Sequence, residues 1–183
     1  VHNILLQMMA YHSYDNLKFI VFTNKKNQKN WKFLKNSLYC FSDDRGMRFF
    51  ATDTEEMQEV SNYLNKIFYY RKDVCKNNHN DKKKEYMLFN SYYLIITDDY
   101  PYYRKVKIIN TILKMKEDCG FSLVCVDNQL RRLPSECVNF VYTDGDISTM
   151  YCTKIDEYSM QNYRSEINYD VNINKCCSVL SNI

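Results

Sequence analysis

Glycine and proline are scarce in this sequence. Its 183 residues include only 3 Gly and 2 Pro, so long flexible linkers are not expected. The glycines, Gly46, Gly120 and Gly145, are also too far apart to form the G-x-x-x-x-G-K-[ST] loop that binds nucleotide phosphates. These residues therefore lack the phosphate cradle that nucleotide hydrolysis needs.

Other signals are absent as well. No apolar run approaches the roughly 20 residues of a membrane helix, and no signal peptide opens the chain. The 8 cysteines include no C-x-x-C pair and no zinc-finger spacing, which favours small buried side chains in a reducing cytosol. A formal net charge of +3 is too small to indicate nucleic-acid binding. The length fits one domain, and the apolar-rich start at Val1 is typical of a domain cut from a longer protein.

Helical and strand patterns alternate along the chain. Tyr92–Thr97 is apolar at nearly every position, which indicates a strand buried on both faces. We therefore predict an α/β fold with a mainly parallel sheet and helices on both faces. Helices are predicted over 2–11, 30–36, 53–71, 101–118 and 171–183, and strands over 17–23, 47–52, 92–97, 121–126, 138–143 and 147–152. The last two strands are candidates for an antiparallel edge.

Some side chains and loops can also be assigned. Ile4, Leu5, Met8 and Met9 share one helical face, so we expect them to point inward. The polar, charged stretch 76–85 is predicted to be a solvated loop. The charged residues at 43–45 and 131–132 are likewise interpreted as solvated loops rather than arginine fingers.

Two aspartates, Asp98 and Asp99, end the most apolar strand. Ligands of open parallel sheets bind beyond the carboxyl ends of the strands, where these acids are expected. In nucleotide hydrolases one such acid helps to hold Mg²⁺, and a neighbouring acid orients water. Without a phosphate cradle, the residues alone favour the solvated end of a strand over an active site.

The order of segments nevertheless resembles a known family. The stretches 2–23, 30–64, 92–100 and 120–143 resemble EssC/EccC proteins, the membrane-anchored FtsK/SpoIIIE-type ATPases of type VII secretion systems. The most specific parts are AYHSYDNLKFIVFT and LPSECVNFVYTDGD. The resemblance implies a P-loop-NTPase-like fold that lacks its phosphate loop. It is strongest to the first, juxtamembrane module, with residues 1–183 as one degenerate domain of a longer membrane-anchored protein.

The resemblance also assigns site positions. YYLIITDD is similar to a Walker B strand, with Asp98 at the metal-associated position. Asp99 stands where active motors carry glutamate, and LVCVDNQ places Asn128 at a sensor position where motors favour glutamine. Asp98, Asp99 and Asn128 are therefore the predicted, vestigial nucleotide-site residues, and Asp98 is the predicted metal ligand. The phosphate-loop strand would precede Val1.

The resemblance implies that this chain functions as a non-hydrolysing coupling or scaffold module of a type VII secretion translocase. ATP and Mg²⁺ would belong to the parent protein, with no cofactor in this part. Expected partners are other domains of the translocase, further copies in a hexamer, secretion components and effector proteins, on the cytoplasmic side of a bacterial plasma membrane. Two alternatives stay open, an active ATPase whose phosphate loop comes from upstream or from a neighbour, and a DNA-translocase module.

Overall fold

The structure is a computed structural model that describes residues 1–77, 89–144, 147–152, 161–164 and 171–181. The chain divides into two compact units. Unit 1 comprises Val1–Leu133 and Asn172–Ile183, and unit 2 comprises Pro134–Val171. The prediction that residues 1–183 form one module of a longer protein stays a prediction.

Unit 1 alternates helices and strands, as the sequence patterns predict. Its elements are α1 (His2–Tyr11), β1 (Leu17–Phe22), β2 (Phe50–Ala51), α2 (Thr54–Asn77), β3 (Tyr92–Thr97), α3 (Tyr100–Tyr103), α4 (Lys107–Leu113), β4 (Phe121–Cys125) and α5 (Ile173–Leu180). Short 3-10 turns lie at Gln28–Asn30, Leu38–Cys40 and Leu130–Arg132. None of the helices in the described ranges is long and apolar enough to span a membrane.

The sheet of unit 1 is parallel throughout, in the order β2-β1-β3-β4. Every residue of β1 is buried, as are five of the six residues of β3, which the continuous apolar runs predict. On one face Ile20 and Ile95 pack with α2 and α4. On the other face Phe19 stacks on Tyr39, whose hydroxyl donates a hydrogen bond to the Met9 carbonyl of α1. The predicted α/β fold, with helices on both faces, is confirmed.

A buried arginine joins α2 to the amino-terminal edge of the sheet. Arg71 is 5% exposed, and its Nη atoms donate to the Cys119 carbonyl at 3.2 Å and to Ser91 Oγ at 3.1 Å. The guanidinium lies 4.5 Å from the ring centroid of Phe89 and 4.8 Å from that of Tyr93. Burial lowers the pKa of Arg71. Because carbonyl, hydroxyl and aromatic groups surround this cation, it stays buried beside partners that carry no charge.

Several predicted boundaries were wrong. The helix predicted over 101–118 is two helices, because Val106 is extended (φ −68°, ψ 123°) and turns the chain before α4. The Ile108 amide is held there by Ser61 Oγ of α2, at 3.1 Å. α2 runs to Asn77 rather than 71, and the rest of the predicted loop at 76–85 lies outside the described residues.

The remaining corrections concern short segments. The strand predicted over 47–52 is reduced to the two residues of β2. Residues 31–36 form turns rather than a helix, although Trp31 and Leu34 are buried as predicted. Ile4 is 55% exposed, and Leu6 takes its place in the core, because α1 turns a slightly different face inward. All eight cysteines are reduced thiols, and Cys40, Cys75, Cys119 and Cys177 are buried.

Unit 2 contains an antiparallel sheet in the order β5 (Asn139–Asp144), β6 (Ile147–Cys152) and β7 (Gln161–Arg164). The predicted antiparallel pairing of the late strands is confirmed. They belong to a sheet of their own rather than to the edge of the parallel sheet. The pair is stabilised by the stacked rings of Phe140 and Tyr151, which lie opposite each other with centroids 5.0 Å apart.

Gly120 lies directly against Arg71, and a side chain at this position would overlap the guanidinium. Its φ is +77°, and an added Cβ would lie 2.5 Å from Arg71 Nη1. We expect Gly120→Ala to lower the free energy of unfolding by about 2–3 kcal/mol, since it adds both backbone strain and overlap with the guanidinium. Urea denaturation measures this difference.

Gly46→Ala is the matched control. Gly46 is not in the left-handed region, and its added Cβ would meet only the side chain of Asp44, at 3.3 Å. We expect a change below about 1 kcal/mol for this substitution. Equal losses of unfolding free energy in the two variants would contradict the conclusion that a side chain at position 120 is strained and overlaps Arg71.

Candidate functional site

The parallel register of β1 and β3 creates the candidate site. Phe22 pairs with Thr97, so the residues that follow the two strands lie side by side at the carboxyl edge of the sheet. Thr23 Oγ1 donates a hydrogen bond to Asp98 Oδ2 at 3.1 Å, and Asn24 Nδ2 donates to Asp99 Oδ2 at 3.4 Å. The acid pair is therefore in contact with the end of the neighbouring strand.

Asp98 receives a second and shorter hydrogen bond. The indole Nε1 of Trp31 donates to the same Oδ2 atom at 2.7 Å, and the Trp31 side chain is almost fully buried. The other oxygen, Oδ1, is inaccessible to solvent and has no hydrogen-bond partner among the described residues. Asp98 thus holds the turn after β1 against the end of β3 through one oxygen.

Asp99 is paired with an arginine. Arg132 Nη2 lies 2.9 Å from Asp99 Oδ1, and Arg132 Nε lies 2.8 Å from Asp127 Oδ2. The hydrogen bond and charge of Asp127, followed by the charge of Asp99, raise the pKa of Arg132. One guanidinium therefore joins the acid that follows β3 to the acid that follows β4.

Tyr103 lies beneath the acid pair. Its side chain is fully buried, and its hydroxyl has no hydrogen-bond partner within the described ranges. Burial raises the pKa of Tyr103, and the negative charges of Asp98 and Asp99 raise it further. The phenol therefore stays protonated beside the two acids at any physiological pH.

Asp98, Asp99 and Arg132 line a polar cleft of about 550 Å³, which we call the acid cleft. Its lining residues are Asn24, Lys26, Asn27, Asn30, Asp98, Asp99, Val126, Asp127, Asn128, Gln129 and Arg132. The three predicted positions, Asp98, Asp99 and Asn128, all lie at this cleft, with Asn128 exposed on its rim. Their roles in nucleotide or metal binding stay predictions.

A magnesium ion at the acid cleft would need ligands beyond the acid pair. Both oxygens of Asp99 and Oδ2 of Asp98 accept hydrogen bonds. Oδ1 of Asp98 is the one carboxylate oxygen of the pair without a hydrogen-bond partner among the described residues, and it is inaccessible to solvent. Nowhere in the described ranges do three or more His, Cys, Asp or Glu residues group in a way that could hold a metal ion. Mg²⁺ requires six oxygen ligands in octahedral geometry, which the acids supply only with phosphates and waters.

Sequence reasoning missed the partners of the acids. Thr23, Asn24 and Trp31 follow β1, and only the pairing of strands shows that they contact the acid pair. The predicted solvated loop at 131–132 is exposed, as expected, but sequence reasoning did not predict that Arg132 pairs with two carboxylates there. One sequence signal was available. The apolar run of β1 gives way to polar residues at Thr23, as the run of β3 does at Asp98, which marks a second strand end at this edge.

No protein-family model matches the sequence, and no curated protein matches it. Two solved structures share its fold. EssC (ATPases 2 and 3) from Geobacillus thermodenitrificans matches with a TM-score of 0.69 at 9% identity, over 99% of this chain and 40% of that chain. The cytoplasmic domain of EssC matches with a TM-score of 0.56, also at 9% identity, over 99% of this chain and 42% of that chain.

The chain thus spans about two fifths of the EssC chains that it matches. At 9% identity the likeness shows the fold and nothing more specific. The chain shares its fold with EssC, as the sequence resemblance predicts. That the chain corresponds to the first, juxtamembrane module stays a prediction.

The convergence of two donors on one oxygen of Asp98 allows a sharp test. Asp98→Ala removes the acceptor of both hydrogen bonds, whereas Asp98→Asn removes the charge but keeps an oxygen where both donors point. We expect Asp98→Ala to be less stable than Asp98→Asn by about 2 kcal/mol. Urea denaturation followed by the fluorescence of Trp31, the sole tryptophan, measures both variants in one assay.

The control substitution is Asp99→Ala, which removes partners that are more exposed. It should cost less than about 1 kcal/mol. If Asp98→Ala and Asp98→Asn were equally stable, the hydrogen bonds from Thr23 and Trp31 would contribute nothing to holding β1 against β3.

Proposed function

We propose that this chain is a non-hydrolysing, ATPase-like coupling module of a type VII secretion translocase. The single observation that carries the proposal is that the acid pair at the carboxyl edge of an EssC-like sheet is occupied by side chains of the chain itself. The fold shared with EssC supports the type of machine. The occupied acids support the absence of hydrolysis.

Water activation requires a carboxylate oxygen that faces the attacking water. Asp99 binds Asn24 through one oxygen and Arg132 through the other. This pairing supports a module in which Asp99 serves as a structural partner of Arg132 rather than as a catalytic base.

The phosphate loop of P-loop hydrolases holds the nucleotide with backbone amides that converge on its phosphates. Gly46 precedes β2 and Gly120 precedes β4, and both strands are parallel to β1 and β3. The two glycines therefore lie toward the amino-terminal edge of the sheet, away from the acid cleft. Gly120 is used to accommodate Arg71. This arrangement supports a module that does not bind a nucleotide triphosphate at the acid cleft.

A coupling module acts through its surface. Among the exposed large side chains are Tyr11, at 83%, Tyr70, at 69%, and Tyr142, at 61% exposure. Tyrosine is enriched in protein interfaces because its ring is apolar and its hydroxyl forms hydrogen bonds. We propose other domains of the same translocase, further copies in a hexamer, and secretion components with their effectors as the partners, on the cytoplasmic side of a bacterial plasma membrane. No nucleic acid is part of this proposal.

Asp98→Asn tests the proposal directly. In a working ATPase this change abolishes turnover, since it removes a metal-associated charge. In a non-hydrolysing module the same change leaves effector export unchanged, because the asparagine oxygen still accepts both hydrogen bonds of Asp98. We expect no Mg-ATP turnover above background by the 183-residue chain and undiminished effector export by a whole translocase that carries the substitution.

The alternative function, an active ATPase, has one observation in its favour. The acid cleft is open and lies at the edge of the sheet where ligands of such folds bind. It requires a phosphate loop from outside these residues. Mg-dependent turnover that disappears in Asp98→Asn, by the chain or by the longer protein, would establish the alternative and end the non-hydrolysing proposal.

A further inference from the structure

A second cavity, of about 750 Å³, lies between α2 and the segment that joins α3 to α4. We call it the basic cavity. One wall is a single face of α2 that includes Met57 and Ser61, and the other wall is formed within residues 101–107. The basic cavity shares no lining residue with the acid cleft. It is therefore a separate site from the one discussed above.

The charged residues that line the basic cavity all have one sign. Arg104, Lys105 and Lys107 line it, and no Asp or Glu does. In the part of the chain that the structure describes, the ion pairs are Lys18 with Asp43 and Arg132 with Asp99 and Asp127, so none of these three cations forms an ion pair there. Lys107 Nζ lies 5.8 Å from the ring centroid of Tyr69, a contact that leaves its charge uncompensated. Such a concentration of positive charge attracts anions. The acid cleft, with three carboxylates, has the opposite character.

The remaining walls combine a flat ring with amide groups. Tyr102 is 55% exposed, and its ring is held edge-on against Tyr103, with centroids 5.0 Å apart. Met57 is buried and Val106 half-buried beside it, which makes part of the wall apolar. On α2, Gln58 presents an exposed amide side chain to the cavity. Aromatic rings bind planar bases by stacking, and amides provide donors and acceptors for their edges.

We propose that the basic cavity binds a phosphate ester that carries a planar ring, the chemical class of a nucleotide, without a metal ion. Arg104, Lys105 and Lys107 hold the phosphates, because guanidinium and ammonium groups are the preferred phosphate partners. Tyr102 holds the ring. A volume of about 750 Å³ suits a ligand of this size. With no carboxylate in its lining, the cavity binds the ligand and does not hydrolyse it.

Calorimetric titration of the wild-type chain with ATP in EDTA, at near-physiological ionic strength, tests the proposal. A triple variant, Arg104→Gln, Lys105→Gln and Lys107→Gln, removes the three cations. The matched control is Lys66→Gln, Lys114→Gln and Lys116→Gln, which removes three charges from exposed lysines outside the cavity. We expect saturable binding that weakens at least about tenfold in the first variant and less than about threefold in the control.

Two further probes separate the phosphates from the ring. Tyr102→Ala should weaken ATP binding severalfold and leave the binding of inorganic tripolyphosphate unchanged, since that probe has no ring. Gln129→Ala should leave ATP binding unchanged, because Gln129 lines the acid cleft, which is a separate site. Equal losses in the two triple variants, or no saturable binding by the wild-type chain, would overturn the proposal. Neither result depends on turnover, so the basic cavity and the non-hydrolysing function succeed or fail separately.

Discussion

The parallel pairing of β1 with β3 is the constraint from which the rest of unit 1 follows. Six consecutive residue pairs, from Leu17 with Tyr92 to Phe22 with Thr97, fix the two strands in one register. A shift by one residue would turn the apolar side chains of either strand to the opposite face and separate Thr23 from Asp98. The same register therefore builds the core and brings together the polar residues of the acid cleft.

Charged side chains at each end of the sheet are held by contacts within the chain. At the amino-terminal edge Arg71 is enclosed by aromatic rings, a carbonyl and a hydroxyl. At the carboxyl edge Arg132 and Trp31 provide the donors that Asp98 and Asp99 require. These donors stabilise the acid pair, and a ligand that displaced them would have to supply the free energy that they contribute.

The acid cleft and the basic cavity define two different surfaces of one module. The acid cleft has carboxylates bound to internal donors, while the basic cavity has cations that form no ion pair within the described ranges. The acid cleft lies at the carboxyl edge of a parallel sheet, where ligands of such folds bind. The proposed absence of hydrolysis there and the proposed anion binding at the basic cavity would both suit a coupling role within a larger translocase.

The fold class and most elements followed from local patterns. Continuous apolar runs predicted the buried parallel strands that contain Phe19 and Ile95, because a strand buried on both faces is apolar at every position. Apolar residues at helical spacing predicted α2 and α5, because a helix buried on one face repeats its apolar residues with the helical period. The break at Val106 was not predictable, because its reason is a hydrogen bond from Ile108 to Ser61, 47 residues away in the chain. Boundaries of short elements such as β2 depend on contacts of this kind.

For the site, the sequence by itself determined that two acids end a buried strand and that no glycine-rich phosphate cradle lies within these 183 residues. Residue type and spacing suffice for both conclusions. Only the tertiary structure decided what the acids contact. Trp31 and Arg132 reach Asp98 and Asp99 from 67 and 33 residues away, and hydrogen bonds over such separations arise from strand order and register rather than from any local preference of the chain.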